Sequence, residues 1–275
     1  MLTIGITTYE RPASLVRAVD SVFEQWQNLS DRVEVIVVDD ASVSEEARVA
    51  WQLLESRVPL SGGRLKLHRH QVGTGGPSTG RNDVIDRAEG RYVLFLDDDN
   101  LIAPGALADL VSVLEQTSSE YVSLRRKRGE RTFAYSTTGI HEGLTRSQSL
   151  WTFLIGGAFS LRVIRERGLR FDSAVNYGED SEFVMAFVVA ASRFAALSDR
   201  DYVIESDPQP GELPHISQAS WAGVRADPHR PRGPACWDSR GLYPRRNGTI
   251  TAQSADSRSK RPLLPASPHD RALGG

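Results

Sequence analysis

Short apolar runs alternate with amphipathic segments along the first 125 residues of the chain. The runs at 2–7 and 33–38 are rich in β-branched residues and have the length of strands. Between them, apolar side chains recur at helical spacing, and Pro12 fits the first turn of that helix, where a missing N–H costs little. The same criteria predict strands at 65–69, 92–96 and 121–124 and helices at 45–57, 78–88 and 104–116. Strands that alternate with helices indicate parallel strands joined by right-handed crossovers.

The pattern is less regular in the second half of the chain. It predicts short helices at 147–154 and 163–167, a longer helix at 179–192, and strands at 194–197 and 202–205. From about Asp207 the hydrophobic pattern fades, and Pro, Arg, Ser and Gly dominate residues 220–275. Such a composition buries too little apolar surface to offset the entropy of ordering. We therefore expect one α/β domain over residues 1–219 and a Pro/Arg-rich, flexible tail over residues 220–275.

Composition excludes several classes of protein. The longest apolar run, residues 183–191, is far shorter than the roughly 18 residues that span a bilayer, and no basic-then-apolar leader precedes the first strand. Cys236 is the only cysteine, which excludes an intrachain disulfide framework and a cysteine-rich zinc site. The basic residues form no one-face patch, so we expect no nucleic-acid partner. These features predict a cytoplasmic protein without a transmembrane segment.

Three consecutive acids follow the predicted strand at 92–96. They are Asp97, Asp98 and Asp99, with Asn100 next. Adjacent carboxylates repel one another unless a cation or hydrogen-bond donors lie among them. Oxygen ligands of this kind suit Mg²⁺ or Mn²⁺. Because ligands of α/β sheets bind beyond the carboxyl ends of the strands, we favour a metal site over a solvated acidic loop.

Three further groups fall at or near predicted strand ends. Asp39 and Asp40 end the second strand. They can accept hydrogen bonds from a nucleobase or a ribose; a helix cap or a solvated loop is the alternative. The glycine-rich residues 73–76 precede the helix of Arg81, where N–H groups can meet a phosphate; a flexible connector is the alternative. The acids at 179–180 open the long apolar helix, either as partners of its dipole or as a general base.

Taken together, these motifs resemble the inverting glycosyltransferases of family 2, which have the GT-A fold. The matching motifs lie at residues 4–11, 37–42, 80–82, 95–100 and 178–180, within residues 2–217. The ending Asp98-Asp99-Asn100 is similar to the spore-coat polysaccharide glycosyltransferase branch. The resemblance implies a mostly parallel sheet with helices on both faces. It also implies a nucleotide-binding half at 1–100 and an acceptor half at 101–219.

The resemblance assigns a nucleotide pocket. Thr7, Tyr9 and Arg11 would line it after the first strand. Asp40 would accept a hydrogen bond from the base, which we expect to be uracil. Arg81 would help to hold the nucleotide.

The resemblance also assigns a metal site. Asp97 and Asp98 would lie at the ribose and the metal, and Asp99 would be a direct ligand of Mn²⁺ or Mg²⁺. His215, which a serine follows closely at position 217, is the candidate for a late histidine ligand. A surface histidine is the alternative. We expect His68 and His70, which alternate along a predicted strand, to be structural.

The implied reaction is transfer of a sugar from a nucleotide-diphosphate donor, which we expect to be UDP-linked, with inversion. Asp180 would be the catalytic base and Glu179 would support the base or the acceptor. The acceptor is left open among a sugar, a lipid carrier, a protein and a small molecule. We expect the basic run at 125–128 to be a solvated turn. Contact of this run with an anionic acceptor or a lipid headgroup is the alternative, so peripheral membrane contact is left open.

Two alternatives remain. A sugar-phosphate nucleotidyltransferase shares the α/β architecture and the metal-binding acids, but residues 7–12 lack the glycine- and arginine-rich phosphate loop that such an enzyme needs after its first strand. A non-catalytic module that binds nucleotide sugars would not need Asp97, Asp99 and Asp180 together.

Overall fold

The computed structural model describes residues 1–27, 29–149, 155–175, 178–206 and 210–212. Strands and helices alternate over most of this length. The strands are β1 (Leu2–Thr8), β2 (Val33–Asp39), β3 (Leu65–Arg69), β4 (Tyr92–Asp97), β5 (Asn100–Ile102), β6 (Tyr121–Leu124), β7 (Arg126–Arg128), β8 (Arg131–Phe133), β9 (Ile140–Leu144), β10 (Gly157–Ser160), β11 (Phe194–Leu197) and β12 (Val203–Glu205). The helices are α1 (Pro12–Phe23), α2 (Glu45–Arg57), α3 (Pro77–Arg87), α4 (Ala106–Gln116), α5 (Arg146–Ser149), α6 (Leu161–Glu166) and α7 (Glu179–Ala190), with a 3₁₀ turn at Pro59–Ser61.

The main sheet has eight strands in the order β3-β2-β1-β4-β10-β6-β11-β9. Strands β3, β2, β1 and β4 run parallel to one another, as do β6 and β11. Strand β10 lies antiparallel between β4 and β6, and β9 is antiparallel to β11 at one edge. The predicted α/β fold with a mostly parallel sheet is therefore confirmed, with β9 and β10 as its antiparallel members.

Helices cover both faces of this sheet. Side chains alternate between the faces along a strand, so Val35 and Val37 pack on one side while Ile36 and Val38 pack on the other. The first side is covered by α1, α2 and α4, and the second by α3, α6 and α7. Burial on both faces explains why the central strands read as continuous apolar runs.

A smaller sheet of four strands, in the order β5-β12-β7-β8, lies beyond the end of β4. Strand β5 begins at Asn100, directly after the three consecutive acids, and it pairs antiparallel with β12. This pairing joins the acidic segment to the last part of the described chain.

Several local expectations are confirmed. Helix α2 has the predicted bounds, and the Ser44 side chain accepts a hydrogen bond of 3.2 Å from the Ala47 N–H as its N-cap. Pro12 is the first residue of α1. No helix in the described ranges is long and apolar enough to cross a bilayer. His215, the predicted tail at 220–275 and positions 150–154 of a predicted helix lie outside the described residues.

Candidate functional site

The candidate site lies at the carboxyl ends of β1, β2 and β4. In the parallel register Thr8 is opposite Asp39, and Thr7 is opposite Asp97. Since neighbouring strands are about 4.8 Å apart, the ends of β2 and β4 lie roughly 10 Å from each other across β1. Acidic residues from two predicted motifs thus meet at one edge of the sheet, where α/β proteins bind ligands.

Arg81 on α3 is a buried guanidinium that joins three carboxylates. Its Nη2 donates to Asp97 Oδ1 at 2.9 Å, and its Nη1 donates to Glu179 Oε1 at 3.0 Å and to Asp180 Oδ1. The Arg81 side chain is only 4% exposed, and it lies over the Phe171 ring with 5.3 Å to the centroid. Burial alone would lower the pKa of Arg81, but the three carboxylates raise it above its ordinary value. The charged state of this arginine is therefore secure.

Helix α3, which carries Arg81, lies in close contact with β1 at two glycines. A Cβ on Gly80 would lie 2.8 Å from Thr7 Cγ2, and a Cβ on Gly5 would lie 2.4 Å from Val84 Cγ1. Glycine at these positions lets α3 lie directly against β1. The next residue of the helix, Asn82, exchanges two hydrogen bonds with the Phe171 backbone, at 2.9 Å and 3.0 Å.

Asp180, in the first turn of α7, has a raised pKa. Burial raises the pKa of Asp180 to about 7, and the neighbouring Asp97 and Glu179 act in the same direction, whereas the charge of Arg81 opposes them. Its side chain is still 23% exposed. A carboxyl group with a pKa near neutrality that can be reached from solvent is suited to general-base chemistry.

A second cluster surrounds Arg11, just before α1. The Arg11 Nη1 donates to Asp98 Oδ1 at 3.0 Å and to Asp99 Oδ2 at 2.7 Å. Thr8 donates from Oγ1 to the other oxygen of Asp98 at 2.8 Å. Burial raises the pKa of Asp98 to about 7, opposed by Arg11. The Asp99 carbonyl accepts from the Ser206 N–H at 3.3 Å, which fixes the acidic segment to the residue after β12.

The three consecutive acids differ in solvent exposure, and the exposure of each determines whether it can bind a divalent cation. Asp97 is 43% exposed, and its Oδ2 has no hydrogen-bond partner in the described part of the chain. Asp99 is 1% exposed and is bonded to Arg11. Carboxylate oxygens are the ligands that Mg²⁺ and Mn²⁺ prefer. Asp97 therefore fits such an ion as it stands, and Asp99 fits once Arg11 releases it.

Asp40 closes the glycine-rich loop onto the end of β2. Its carboxylate accepts from the Thr74 N–H at 2.9 Å and 3.0 Å, from the Gly75 N–H at 3.1 Å, and bonds His70 Nδ1 at 3.0 Å. Burial lowers the pKa of His70, but Asp40 and Asp83 outweigh it, and the pKa lies above its ordinary value. That Asp40 accepts a hydrogen bond from the nucleobase stays a prediction. Its observed contacts hold the glycine-rich loop in place.

The loops after β1 and β2 are strained and bonded to each other. Glu10 and Ala41 have positive φ angles of 52° and 63°, a conformation that non-glycine residues adopt at a cost and often at functional sites. The Glu10 N–H donates to Ser42 Oγ at 2.9 Å, and its carboxylate accepts from the Val43 N–H at 2.5 Å. Tyr9, between β1 and this strained residue, is 48% exposed.

Three further side chains hold the acids and backbone of the site, although the sequence assigned none of them a contact there. Thr8 holds Asp98, Asn82 holds the backbone of Phe171, and His70 holds Asp40. Asn82 was part of the motif at 80–82, so its position carried a signal. Thr8 was likewise part of the motif at 4–11, but its partner Asp98 is 90 residues away along the chain, and the partner Asp40 of His70 is 30 residues away, so neither contact could be read from the sequence.

The sequence matches the pattern of glycosyl transferase family 2 over residues 3–178. The chain belongs to this family. Among curated relatives, the Staphylococcus aureus poly(ribitol-phosphate) beta-N-acetylglucosaminyltransferase TarS is 24% identical over 204 residues, or 73% of this chain and 34% of TarS. The poly(ribitol-phosphate) beta-glucosyltransferase of Bacillus spizizenii is 23% identical over 232 residues, or 82% of this chain and 36% of the relative. The chain thus spans about a third of the length of these two relatives.

Solved structures give the fold. The structure of S. aureus TarS 1–349 with UDP-GlcNAc superposes with a TM-score of 0.69 at 22% identity, covering 79% of this chain and 61% of that one. The mannosyltransferase PcManGT of Pyrobaculum calidifontis, in complex with GDP-Man and Mn²⁺, gives a TM-score of 0.58 at 22% identity, covering 77% and 58%. The predicted GT-A fold is confirmed.

Proposed function

We propose that this chain transfers a sugar from a UDP-linked donor to an acceptor hydroxyl, with inversion at the anomeric carbon. The observation that carries the proposal is the contact of Arg81 with both Asp97 and Asp180. These two acids come from different motifs, one at the end of β4 and one in the first turn of α7. A donor-side acid and a candidate base therefore share one cation.

The donor is proposed to bind across the ends of β1 and β2. Thr7, the exposed ring of Tyr9, Arg11 and Asp40 are proposed to contact the nucleotide; in this structure Arg11 is bonded to Asp98 and Asp40 to the N–H of Thr74. TarS 1–349 binds UDP-GlcNAc and PcManGT binds GDP-Man, so a nucleoside diphosphate sugar is the class of donor that the relatives support. Uracil is the first base to test, in the form of UDP.

Asp180 is proposed to act as the base. Its carboxylate takes the proton of the acceptor hydroxyl while that oxygen forms a bond to the anomeric carbon. The bond from this carbon to the diphosphate oxygen breaks on the opposite face, and the nucleoside diphosphate leaves. One displacement with one base inverts the anomeric configuration. Glu179 keeps Arg81 in place, so that Asp180 is held by a fixed cation.

Asp97, Asp99 and His215 are proposed to hold a Mn²⁺ or Mg²⁺ ion. A divalent cation there neutralises the charge that develops on the leaving diphosphate. Glu212, the last described residue, accepts from the Ser14 N–H at 2.9 Å, three residues after Arg11. The chain is thus tethered beside the acidic segment three positions before His215.

The acceptor and the location of the reaction are proposed from the relatives and the composition. TarS and the B. spizizenii enzyme are named for poly(ribitol-phosphate), so this polymer is the first acceptor to test. A single cysteine fits the reducing cytoplasm. Residues 1–219 are proposed as the transferase domain and residues 220–275 as a flexible tail.

A thermal-shift screen of nucleoside diphosphates with and without Mn²⁺ tests donor and metal together, because a ligand of the native state raises its stability. We expect UDP to give the largest shift and Mn²⁺ to increase it. The chain is then incubated with poly(ribitol-phosphate) and a UDP-sugar, beginning with UDP-GlcNAc, and the release of free UDP is measured. Release of pyrophosphate instead would indicate a nucleotidyltransferase, and binding without turnover would indicate a binding module.

A further inference from the structure

A second group of side chains of the types that bind metal ions lies on the side of α3 opposite the carboxylates that bind Arg81. His68 is on β3, the edge strand of the main sheet, and His70 follows two positions later, so both rings stand on the same side of the strand. Asp83 on α3 faces them. Its Oδ2 is 2.9 Å from His70 Nε2 and 3.3 Å from His68 Nε2. The three ligand atoms all lie within 4.8 Å of one another.

We propose that His68, His70 and Asp83 form a binding site for a transition-metal ion of the Zn²⁺ class, separate from the acids that would hold the donor's cation. Zinc bonds nitrogen at about 2.0–2.1 Å, so two ligands of a tetrahedral ion are roughly 3.3 Å apart. The Asp83 oxygen lies 2.9 Å and 3.3 Å from the two imidazole nitrogens, close to this spacing, and all three atoms lie within 4.8 Å of one another. Two imidazoles and one carboxylate leave a fourth position for water.

The surroundings of His70 have the form of a metal site's outer ligand shell. Its Nδ1 bonds Asp40 Oδ1 at 3.0 Å, and because a carboxylate only accepts, Nδ1 carries the hydrogen. Nε2 is therefore the atom directed at Asp83, and a metal ion takes the place of the proton between them. A carboxylate behind a ligating histidine fixes its ring and strengthens it as a ligand.

His68 presents the correct atom as well. Arg87 Nη2 is 3.3 Å from His68 Nε2, and arginine has only donors, so this nitrogen offers its lone pair. Arg87 is exposed at the end of α3 and can turn into solvent when an ion binds. The His68 and Asp83 side chains are 34% and 27% exposed, which leaves an entry path.

A bound ion would tie the edge strand to α3 next to the Asp40 loop. The alternative is a metal-free arrangement in which a charged His70 bridges Asp40 and Asp83. The two arrangements use the same residues and differ in whether the cluster binds an ion, which titration decides.

The test is titration of the full chain with Co²⁺, whose visible absorption reports tetrahedral coordination by nitrogen and oxygen. The Cys236→Ser background removes the only cysteine as a competing ligand. We expect a stoichiometric tetrahedral spectrum that Zn²⁺ bleaches. His68→Ala and Asp83→Asn should each abolish it or weaken binding by at least about tenfold. Asp97→Asn, in the other acidic cluster, should leave the spectrum intact.

Circular dichroism of each variant checks that the fold is kept, and His68→Gln is the substitute if His68→Ala fails to fold. A spectrum that persists in His68→Ala and Asp83→Asn would place the ion elsewhere and overturn the proposal. Absence of any tetrahedral spectrum in the folded parent chain would overturn it too and leave the charged His70 bridge. Neither outcome depends on sugar transfer, so the proposed function is tested separately.

Discussion

The guanidinium of Arg81 and the carboxylate of Asp180 form an ion pair that joins helix α3 to the first turn of helix α7. The same guanidinium binds Asp97 at the end of β4. Two helices that are distant along the chain are therefore fixed against one strand end by a single buried cation. Asp180 thereby has a defined position relative to the acidic segment, which a base acting beside a bound donor requires.

Arg81→Gln should destabilise the fold. The substitution leaves Asp97, Glu179 and Asp180 close together without their cation, and breaking a buried pair costs about 3–5 kcal/mol. Because two of the three acids are partly exposed, we expect the lower end, about 3 kcal/mol, in urea unfolding at neutral pH. Arg170→Gln, which removes the exposed partner of Asp86, is the control and should cost less than about 1 kcal/mol. Equal effects of the two substitutions would contradict the role given to Arg81.

The rate should follow the protonation of Asp180. A base works only when deprotonated, and the pKa of Asp180 is raised to about 7. We therefore expect kcat/KM, which reports the free enzyme, to fall as the pH drops below about 7 and to level off above it. Arg81→Gln should move this limb to higher pH, because the positive charge that lowers the pKa of Asp180 is lost. A kcat/KM that does not change between about pH 5 and about pH 8 would argue against Asp180 as the base.

Arg11→Gln should tighten the binding of Mn²⁺ in the absence of nucleotide. Arg11 and a divalent cation compete for the carboxylate of Asp99. A hydrogen bond to a charged group is worth about 1.5–3 kcal/mol, so its loss predicts roughly a tenfold gain or more in affinity. Titration of Mn²⁺ followed by electron paramagnetic resonance measures this. Arg57→Gln, which removes the ion-pair partner of Asp20 on α1, is the control. Unchanged or weaker Mn²⁺ binding in Arg11→Gln would remove Arg11 as a competitor.

Thr8→Val should destabilise the fold without changing its shape. The substitution is nearly isosteric and deletes the donor that Asp98 Oδ2 accepts at 2.8 Å. A buried acceptor left without its partner costs about 1–3 kcal/mol. The loss should shrink at acidic pH, because protonated Asp98 no longer needs that donor. Urea unfolding at two pH values measures the effect, and an equal loss at both would contradict the assignment.

Much of the fold follows from local sequence. Strands such as β2 are continuous apolar runs because both their faces are covered, and α2 is bounded by the Ser44 cap. The acids after β2 and β4 were found because a parallel sheet places all its carboxyl ends at one edge. These features depend on neighbours along the chain, which a sequence displays directly.

The remainder depends on distant partners. Strand β10 is a four-residue segment that starts at Gly157, and its antiparallel place between β4 and β6 is set by register rather than composition. The short strands β5, β7 and β8 have three residues each and pair with β12 or with one another. The three acids at 97–99 cannot be told apart in the sequence, yet Asp97 forms an ion pair with Arg81, whereas Asp98 and Asp99 form ion pairs with Arg11.

The proposed reaction depends most directly on Asp180. The decisive measurement is the turnover number of Asp180→Asn, with release of the nucleoside diphosphate as readout, beside Asp172→Asn as an exposed acid-to-amide control. We predict that Asp180→Asn binds UDP as the parent does and loses roughly 10²–10⁴ in kcat, the amount that a general base supplies, while Asp172→Asn keeps its rate. Unchanged turnover in a folded Asp180→Asn protein that binds UDP would contradict the proposed mechanism.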